Sequence, residues 1–475
     1  MIRQIDTRQI DAKLTPLDDA GELCRMDACA LLDGYRRRKI SPVEVARATL
    51  ARAETVQARC GAFTLIDVGP ALQAAAESEA RWREDAPCGP LDGLPTTIKD
   101  IVYVSGWAAH FGSRAPAVLA AEDSPAVALL RQAGAVFIGQ TTTPEFGWKA
   151  VTDSPFSGIT RNPWNLDKTP GGSSGGAAVA AASGAGALHL GSDGGGSIRI
   201  PASFTGITGH KPTFGRVPAY PASAFGTVAH IGPMTRGVAD AALMLDVMSG
   251  RDLRDWHQNV LAFTAAAGQR IERLKGLRIG VWLTPPQGIV AAEVAAAFEA
   301  MLGLLRRAGA VLENVTLPGE DLLGLFHTLW FSGAAARLQG LPDSALAEID
   351  PGLLQAAEAG ARISATELIA ANTKRAGFGA AFDALLAQYA FIVSPAVAIT
   401  AFAAGEEVPP GSGLSRWTEW AGFSFPVNLA QAPATVIPCG LSRDGLPIGL
   451  QLIGPRGADG MVLAAADACA ALMAA

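Results

Sequence analysis

Apolar positions recur along this chain with two periods, and the periods predict its elements. Ser41-Pro42-Val43-Glu44 reads as a capping box with proline in the first helical turn, opening a helix to about Glu54. Asp123-Ser124-Pro125 opens a second helix that ends near Gly134, and Ala135-Val136-Phe137-Ile138-Gly139 then reads as a buried strand. The same order returns as a strand over 277–283, a helix over 291–307 and a strand over 310–317. That succession is a βαβ unit, which implies a parallel strand pair joined by a crossover helix. Further strands are expected at 390–393, 434–437 and 445–453. The expected fold class is α/β, with a large and mostly buried sheet. No internal repeat or domain linker interrupts it. Residues 401–415 form a loop, read equally as a mobile element at a site entrance or as an ordinary surface connection.

Composition narrows the picture. Of 475 residues, 49% are apolar and 17% charged, which suits a packed core rather than disorder. A net charge of −6 argues against nucleic acid or an anionic membrane as partner, since both attract a basic patch. Arg36-Arg37-Arg38-Lys39 reads as a solvated helix end. No apolar run reaches the roughly 18–20 residues that span a bilayer. The nearest, 175–191, is built of Gly, Ala and Ser around His189 and reads as a buried helix. The opening Met1-Ile2-Arg3-Gln4-Ile5-Asp6 carries no apolar secretory core, so a cytoplasmic protein is expected. The six cysteines lack CxxC spacing and read as reduced thiols. The histidines form no HExxH pair. Neither a metal nor a cofactor is expected.

The chemistry concentrates in two glycine-rich turns, Gly171-Gly172-Ser173-Ser174-Gly175-Gly176 and Gly194-Gly195-Gly196-Ser197-Ile198-Arg199. Glycine permits φ > 0 and close backbone approach, and successive N–H groups in such turns form anion-binding nests. A serine on the rim of a nest is what acyl transfer needs, a nucleophile beside a site for the developing oxyanion. Either serine alone reads as a turn residue. The pair gains weight because both turns flank one small-residue segment, 177–190. A buried helix there would direct its N-terminal N–H groups towards Ser173 and Ser174. Serine also needs a base. Lys99, in the β-like run Thr96-Thr97-Ile98-Lys99-Asp100-Ile101-Val102, serves only if burial leaves it neutral. Neighbouring side chains on a strand face opposite ways, which would separate Lys99 from Asp100. A buried Lys99–Asp100 ion pair and an exposed strand edge are the other readings open to these residues.

These blocks resemble the amidase signature family. The resemblance rests on 171–176, on 191–201 with its Ser192-Asp193-Gly194 start, and on Gly209-His210-Lys211-Pro212-Thr213. Outlying matches are Gly93 to Asp100, Asn162-Pro163-Trp164, Gly232-Pro233-Met234-Thr235-Arg236, Asn428-Leu429-Ala430 and Gly445-Leu446-Pro447-Ile448-Gly449-Leu450-Gln451. The likeness runs from about residue 30 to 465. It implies one amidase domain over 1–475: a helical part to about 60, a signature core over about 90–250, and a half from 251 that carries substrate loops. The implied fold is a large mixed sheet with helices on both faces.

Carried over by position, the resemblance implies Lys99 as neutral base, Ser173 as a bridging serine behind a cis peptide, and Ser197 as nucleophile. Backbone N–H groups of Gly194, Gly195, Gly196 and Ser197 would form the oxyanion hole. Asp193 and Arg199 would pair to brace the loop, and Ser174 would support its turn. Phe146, Gly147 and Trp148 fall where relatives line the acyl pocket, although the aromatics read equally well as core. The loop departs from the family pattern, which often has threonine where Ser192 and Gly194 stand.

The implied activity is hydrolysis of a small-molecule amide through an acyl-enzyme, with no nucleic acid or membrane partner; homodimers are common among relatives. Within the family, the alternative is the glutaminase component of a glutamine-dependent tRNA amidotransferase. Those components carry an aspartate where this chain has Ala421, and tend to have glutamine where His230 precedes Ile-Gly-Pro. Gly171 to Gly175 also satisfies G-x-S-x-G, but the polar, proline-ended run before it is not the strand that a nucleophile elbow requires. The glycines at 184–197 lack the spacing of a phosphate or dinucleotide loop.

Overall fold

A computed structural model describes residues 20–258 and 263–474. Eleven strands form one sheet. In chain order they are β1 (Phe63–Ile66), β2 (Pro95–Lys99), β3 (Val136–Thr141), β4 (Leu188–Asp193), β5 (Thr208–Lys211), β6 (His230–Thr235), β7 (Arg278–Val281), β8 (Val311–Asn314), β9 (Phe391–Pro395), β10 (Ala434–Leu441) and β11 (Pro447–Ile453). Across the sheet they lie in the order β1-β3-β2-β4-β6-β5-β10-β11-β9-β7-β8. β2 runs parallel to β3 and β4, and β7 runs parallel to β8 and β9. All other pairs are antiparallel. Two parallel wings thus flank an antiparallel centre, and the sheet joins the early and late parts of the chain.

The elements follow the local chemistry. The Ser41 hydroxyl accepts the Glu44 N–H (3.2 Å), and Glu44 reaches back to the Ser41 N–H (2.8 Å). The helix they cap, Pro42–Cys60, passes the expected end at Glu54 because Val56 and Cys60 extend its buried face, and it stops at Gly61 with φ 64°. The helix Pro125–Gln132 starts as expected, but the Ser124 hydroxyl does not cap it. Instead it accepts the Tyr103 N–H (3.1 Å) and donates to the Tyr220 carbonyl (2.8 Å). The βαβ unit of the later half is present as β7, the helix Ala292–Arg307 and β8.

One expectation is corrected. The small-residue segment is not a single helix. The helix Gly175–Ala182 ends, Gly184 (φ 73°) and Gly186 (φ 117°) turn the chain, and β4 begins at Leu188. His189 therefore lies in the sheet, its Nδ1 2.8 Å from Thr97 Oγ1. A segment buried on every side has no polar face, so its periodicity cannot separate helix from strand. Small residues are required here by close approach, since a Cβ on Gly176 would drive into Thr142 and the Ala62 carbonyl.

The signature block at 209–213 proves architectural. Asp459, at the start of the helix Asp459–Ala474, accepts from Thr213 N–H (2.8 Å) and Thr213 Oγ1 (2.7 Å). It also meets His210 Nε2 at 3.2 Å. The last helix is thereby clamped to the sheet. Among the described residues no helix is long and apolar enough to cross a membrane.

β2 and β4, parallel neighbours, deliver Lys99 and Asp193 at their C-terminal ends, where open α/β sheets place their ligands. Packing in the middle of this sheet leaves no slack. Gly232→Ala would push a methyl into the His210 carbonyl and to 2.8 Å from Pro212 Cδ. The expected cost is about 1–3 kcal/mol, read as a lowered urea midpoint; an unchanged midpoint would contradict this packing.

Candidate active site

β2 carries Lys99 into the interior, where it is 0% exposed. Its Nζ lies 2.7 Å from Ser173 Oγ, 2.9 Å from Ser174 Oγ and 3.0 Å from Ser192 Oγ. Asp100 faces away, as strand alternation requires, and accepts the His110 N–H at 2.8 Å. Burial pushes the Asp100 carboxyl up to about 7. Burial also holds the Lys99 ammonium well below its ordinary pKa, against the opposing pull of Asp193. The hydroxyls define which way the protons point. Ser174 Oγ donates to the Ser192 carbonyl (3.0 Å), so its one proton is committed and Lys99 must donate to it. A neutral amine keeps one further N–H and one lone pair for Ser192 and Ser173. The Ser173 hydroxyl, at the shortest distance, is placed to give its proton to that lone pair.

The Gly172–Ser173 peptide is cis. Gly147 backs this turn: a Cβ there would lie 3.3 Å from Ser173 Oγ. The two serine turns are joined directly by Ser174 N–H donating to the Ser197 carbonyl (3.1 Å). Ser173 and Ser197 both line one cavity, yet no hydrogen bond links their hydroxyls among the described residues. Gly196 N–H donates to Asp193 Oδ1 at 2.8 Å. Of the three expected glycine donors, Gly194 and Gly195 thus keep N–H groups with no protein partner among the described residues, as does Ser197.

Asp193 and Arg199, both 0% exposed, form a bidentate pair at 2.9 and 3.0 Å. Arg199 also donates to Gln451 Oε1 (2.7 Å), and Asn428 Nδ2 donates to Asp193 Oδ1 (2.8 Å). Burial alone would push the Asp193 carboxyl up; Arg199 outweighs it and holds the carboxyl well below the usual range. His230 Nδ1 donates to the Val228 carbonyl (2.7 Å), and burial keeps the ring neutral.

An aromatic wall meets the glycine loop. A Cβ on Gly194 would lie 2.8 Å from the Trp330 ring. One on Gly195 would lie 2.7 Å from Trp417 and 2.9 Å from Phe326. Phe326 and Trp330 project from the helix Leu322–Leu338 and stack at 5.2 Å. The departure from threonine at Gly194 therefore has a physical reason: Trp330 fills the space that side chain would need.

The cavity has a volume of about 310 Å³, and Phe146 and Gly147 line it with Ser173, Gly194, Ser197 and Trp330. Trp148 does not; it is 1% exposed and packs on Gly352, while its carbonyl accepts the Trp330 indole N–H (3.0 Å). The segments 145–150 and 215–230 and the helical residues 325–335 reach the cavity, but no residue of 401–425 is among those lining it. The 401–415 loop is tied down instead, with Thr169 N–H donating to the Phe402 carbonyl and Trp417 N–H to Glu407. Two contributors were missed from sequence. Ser192 was noted only as a departure, and Trp330 lies in a run of apolar residues without a motif. Among the described residues no His, Cys, Asp and Glu cluster could hold a metal ion.

Fold and site together define a hydrolase of amide carbon–nitrogen bonds. The family model Amidase matches residues 44–463, and the chain belongs to the amidase signature family. It is similar to an acylamidase of Rhodococcus erythropolis, 34% identical over 446 residues, 92% of this chain and 93% of that protein. It is also similar to the first (A-type) component of the glutamyl-tRNA(Gln) amidotransferase of Anaeromyxobacter dehalogenans, 34% identical over 466 residues, 92% of this chain and 94% of the relative. Among solved structures, a bacterial aryl acylamidase of the amidase signature family superposes with TM-score 0.88 at 28% identity, covering 95% of this chain and 96% of that one.

The aromatic wall yields a test. Gly194→Thr should crowd Trp330, displace the loop and lower kcat about 10- to 100-fold. Adding Trp330→Leu should recover part of the loss. Simple additivity of the two losses would show that the residues do not share this space.

Proposed function

We propose that the chain is a stand-alone amidase that cleaves a carboxylic amide to an acid and ammonia or an amine. One observation carries the reading: a fully buried lysine, in no ion pair among the described residues, lies 2.7 Å from Ser173, and Ser173 shares its cavity with Ser197. Ser197 Oγ attacks the amide carbonyl carbon while its proton passes to Ser173 Oγ, whose own proton passes to Lys99 Nζ. The N–H groups of Gly194, Gly195 and Ser197 receive the oxyanion. The carbon–nitrogen bond then breaks as the relay returns a proton to the leaving nitrogen, and water releases the acyl group by the reverse path. Direct Ser173–Ser197 contact forms when substrate seats Ser197; catalytic hydrogen bonds often tighten only in the complex. We read the described residues as one domain, because one sheet runs through both halves.

Two features favour independent action over a role within an amidotransferase. Ala421, where the amidotransferase components carry aspartate, is 0% exposed among apolar neighbours and supplies no charge for a substrate amino group. His230 is a neutral, carbonyl-bound ring where a glutamine is common. The amidotransferase reading keeps the support of the 34% identity to the Anaeromyxobacter protein.

The discriminating assay follows ammonia and amine release from an amide panel that includes glutamine, using the purified chain alone. Turnover that is lost in both Ser197→Ala and Lys99→Ala is expected. Turnover of glutamine alone, and only with added partner proteins, would select the second reading; turnover untouched by Ser197→Ala would overturn both.

The pH profile is a second check. The base must be neutral, and burial lowers the Lys99 pKa, so the active form is lost as pH falls through that lowered value. kcat/KM should therefore rise with pH to a plateau well before the ordinary lysine range of about 10.4. A profile still climbing steeply at pH 10 would mean that Lys99 is not held neutral.

A further inference from the structure

Arg337 differs from every other side chain lining the cavity. It is the only lysine or arginine among the lining residues, and it lies near the end of the helix that carries Trp330. Its guanidinium sits 4.5 Å from the Phe111 ring centre and 4.3 Å from that of Phe146. No hydrogen bond or ion pair reaches it among the described residues, although it is half-buried. Other buried arginines have acceptors of their own: Arg199 holds Asp193, and Arg375 donates to the Leu429 carbonyl and to Thr227.

The two phenyl rings explain where the guanidinium stays, since cations rest on aromatic faces. They do not explain its unused donors. Guanidinium carries five N–H groups, and rings satisfy none of them along its edge. A cation partly withdrawn from water without a counter-charge is costly, and an arriving anion relieves that cost. The protein's own acids nearby are committed elsewhere. Asp193 is held by Arg199, Asp255 accepts the N–H groups of Ala219 and His257, and Glu145 takes Ser113 Oγ and the Asp350 N–H.

We propose that Arg337 receives a carboxylate of the substrate, so that the preferred amides are those carrying a carboxylate away from the scissile bond. This rests on the amidase reading above. The arrangement places both ends of such a molecule in one compartment. Phe146 touches Arg337, and Gly147, the next residue, backs Ser173 Oγ. The planar fork of arginine matches a carboxylate with two parallel hydrogen bonds. Phe111, Phe146 and Trp330 supply apolar wall for the hydrocarbon between.

The test uses matched amides that differ only in the remote group: succinamate against butyramide, terephthalamate against 4-methylbenzamide, and N-benzoylglycine against N-propylbenzamide. The full-length enzyme should favour the acid member of at least one pair. Arg337→Gln should lower the acid-to-neutral ratio of kcat/KM about 10- to 100-fold, mainly through KM, and Arg337→Lys should restore part of it. No preference in the parent enzyme, or equal losses for both members, would overturn the proposal and leave the amidase reading intact. If no pair is turned over, the wider amide panel separately tests the amidase reading. Calorimetric binding of terephthalamate to Ser197→Ala protein then decides: binding that Arg337→Gln abolishes supports the carboxylate site, and no binding overturns it.

Discussion

Asp193 and Arg199 are two opposite charges taken wholly out of water, and the geometry of the site depends on how completely they are satisfied. Desolvating an ion pair can cost more than its attraction returns unless every remaining lone pair and proton finds a partner. Here they do. Asp193 accepts from the Gly196 and Ile198 N–H groups as well as from Arg199 and Asn428. Arg199 spends another N–H on Gln451. One carboxylate therefore folds the loop of residues 194–198 around itself and fixes it to β11 and to the helix Phe425–Leu429. The same bonds take Gly196 N–H out of use and leave those of Gly194, Gly195 and Ser197 turned elsewhere. A brace and a row of unpartnered N–H groups are made from one short segment.

The second charge is handled in the opposite way. Lys99 is buried as deeply but given hydroxyls in place of a carboxylate, and burial without a counter-ion favours the neutral amine. Small residues make this possible. The all-buried helix Gly175–Ala182 packs on β4 and β6, with Gly176 against Ala62 and Thr142, closely enough to bring the Ser173 turn to the end of β2. A charge kept neutral by packing is poised for proton transfer, whereas a charge matched by an acid, as in Arg199, is fixed. The chain uses both devices within one hydrogen-bonded cluster.

A third cation, Arg337, belongs to neither arrangement. It is supported by rings and lacks an acceptor among the described residues, which leaves it disposed towards a group from outside. The helix that carries it belongs to the later half of the chain, so that half helps to line the cavity that Ser173 and Ser197 share. Trp330 joins the two parts, pressing on Gly194 while lining the cavity.

The sequence by itself determined a good deal. Capping and periodicity located the helix from Pro42 and the βαβ unit of the later half, because those signals are local and each helix turns one face to water. The glycine-serine turns and Lys99 were legible through their resemblance to a family, and the separation of Lys99 from Asp100 followed from strand alternation. Tertiary structure alone decided the rest. The segment 177–190 divided into helix and strand because uniform burial erases the periodic signal, and only positive φ at Gly184 and Gly186 broke it. Ser192 became a partner of Lys99, Trp330 a neighbour of Gly194 and Arg337 a lone cation only when distant segments met. Which groups share a cavity, and which charges go unanswered, depends on contacts between residues far apart in the chain, and no local pattern records them.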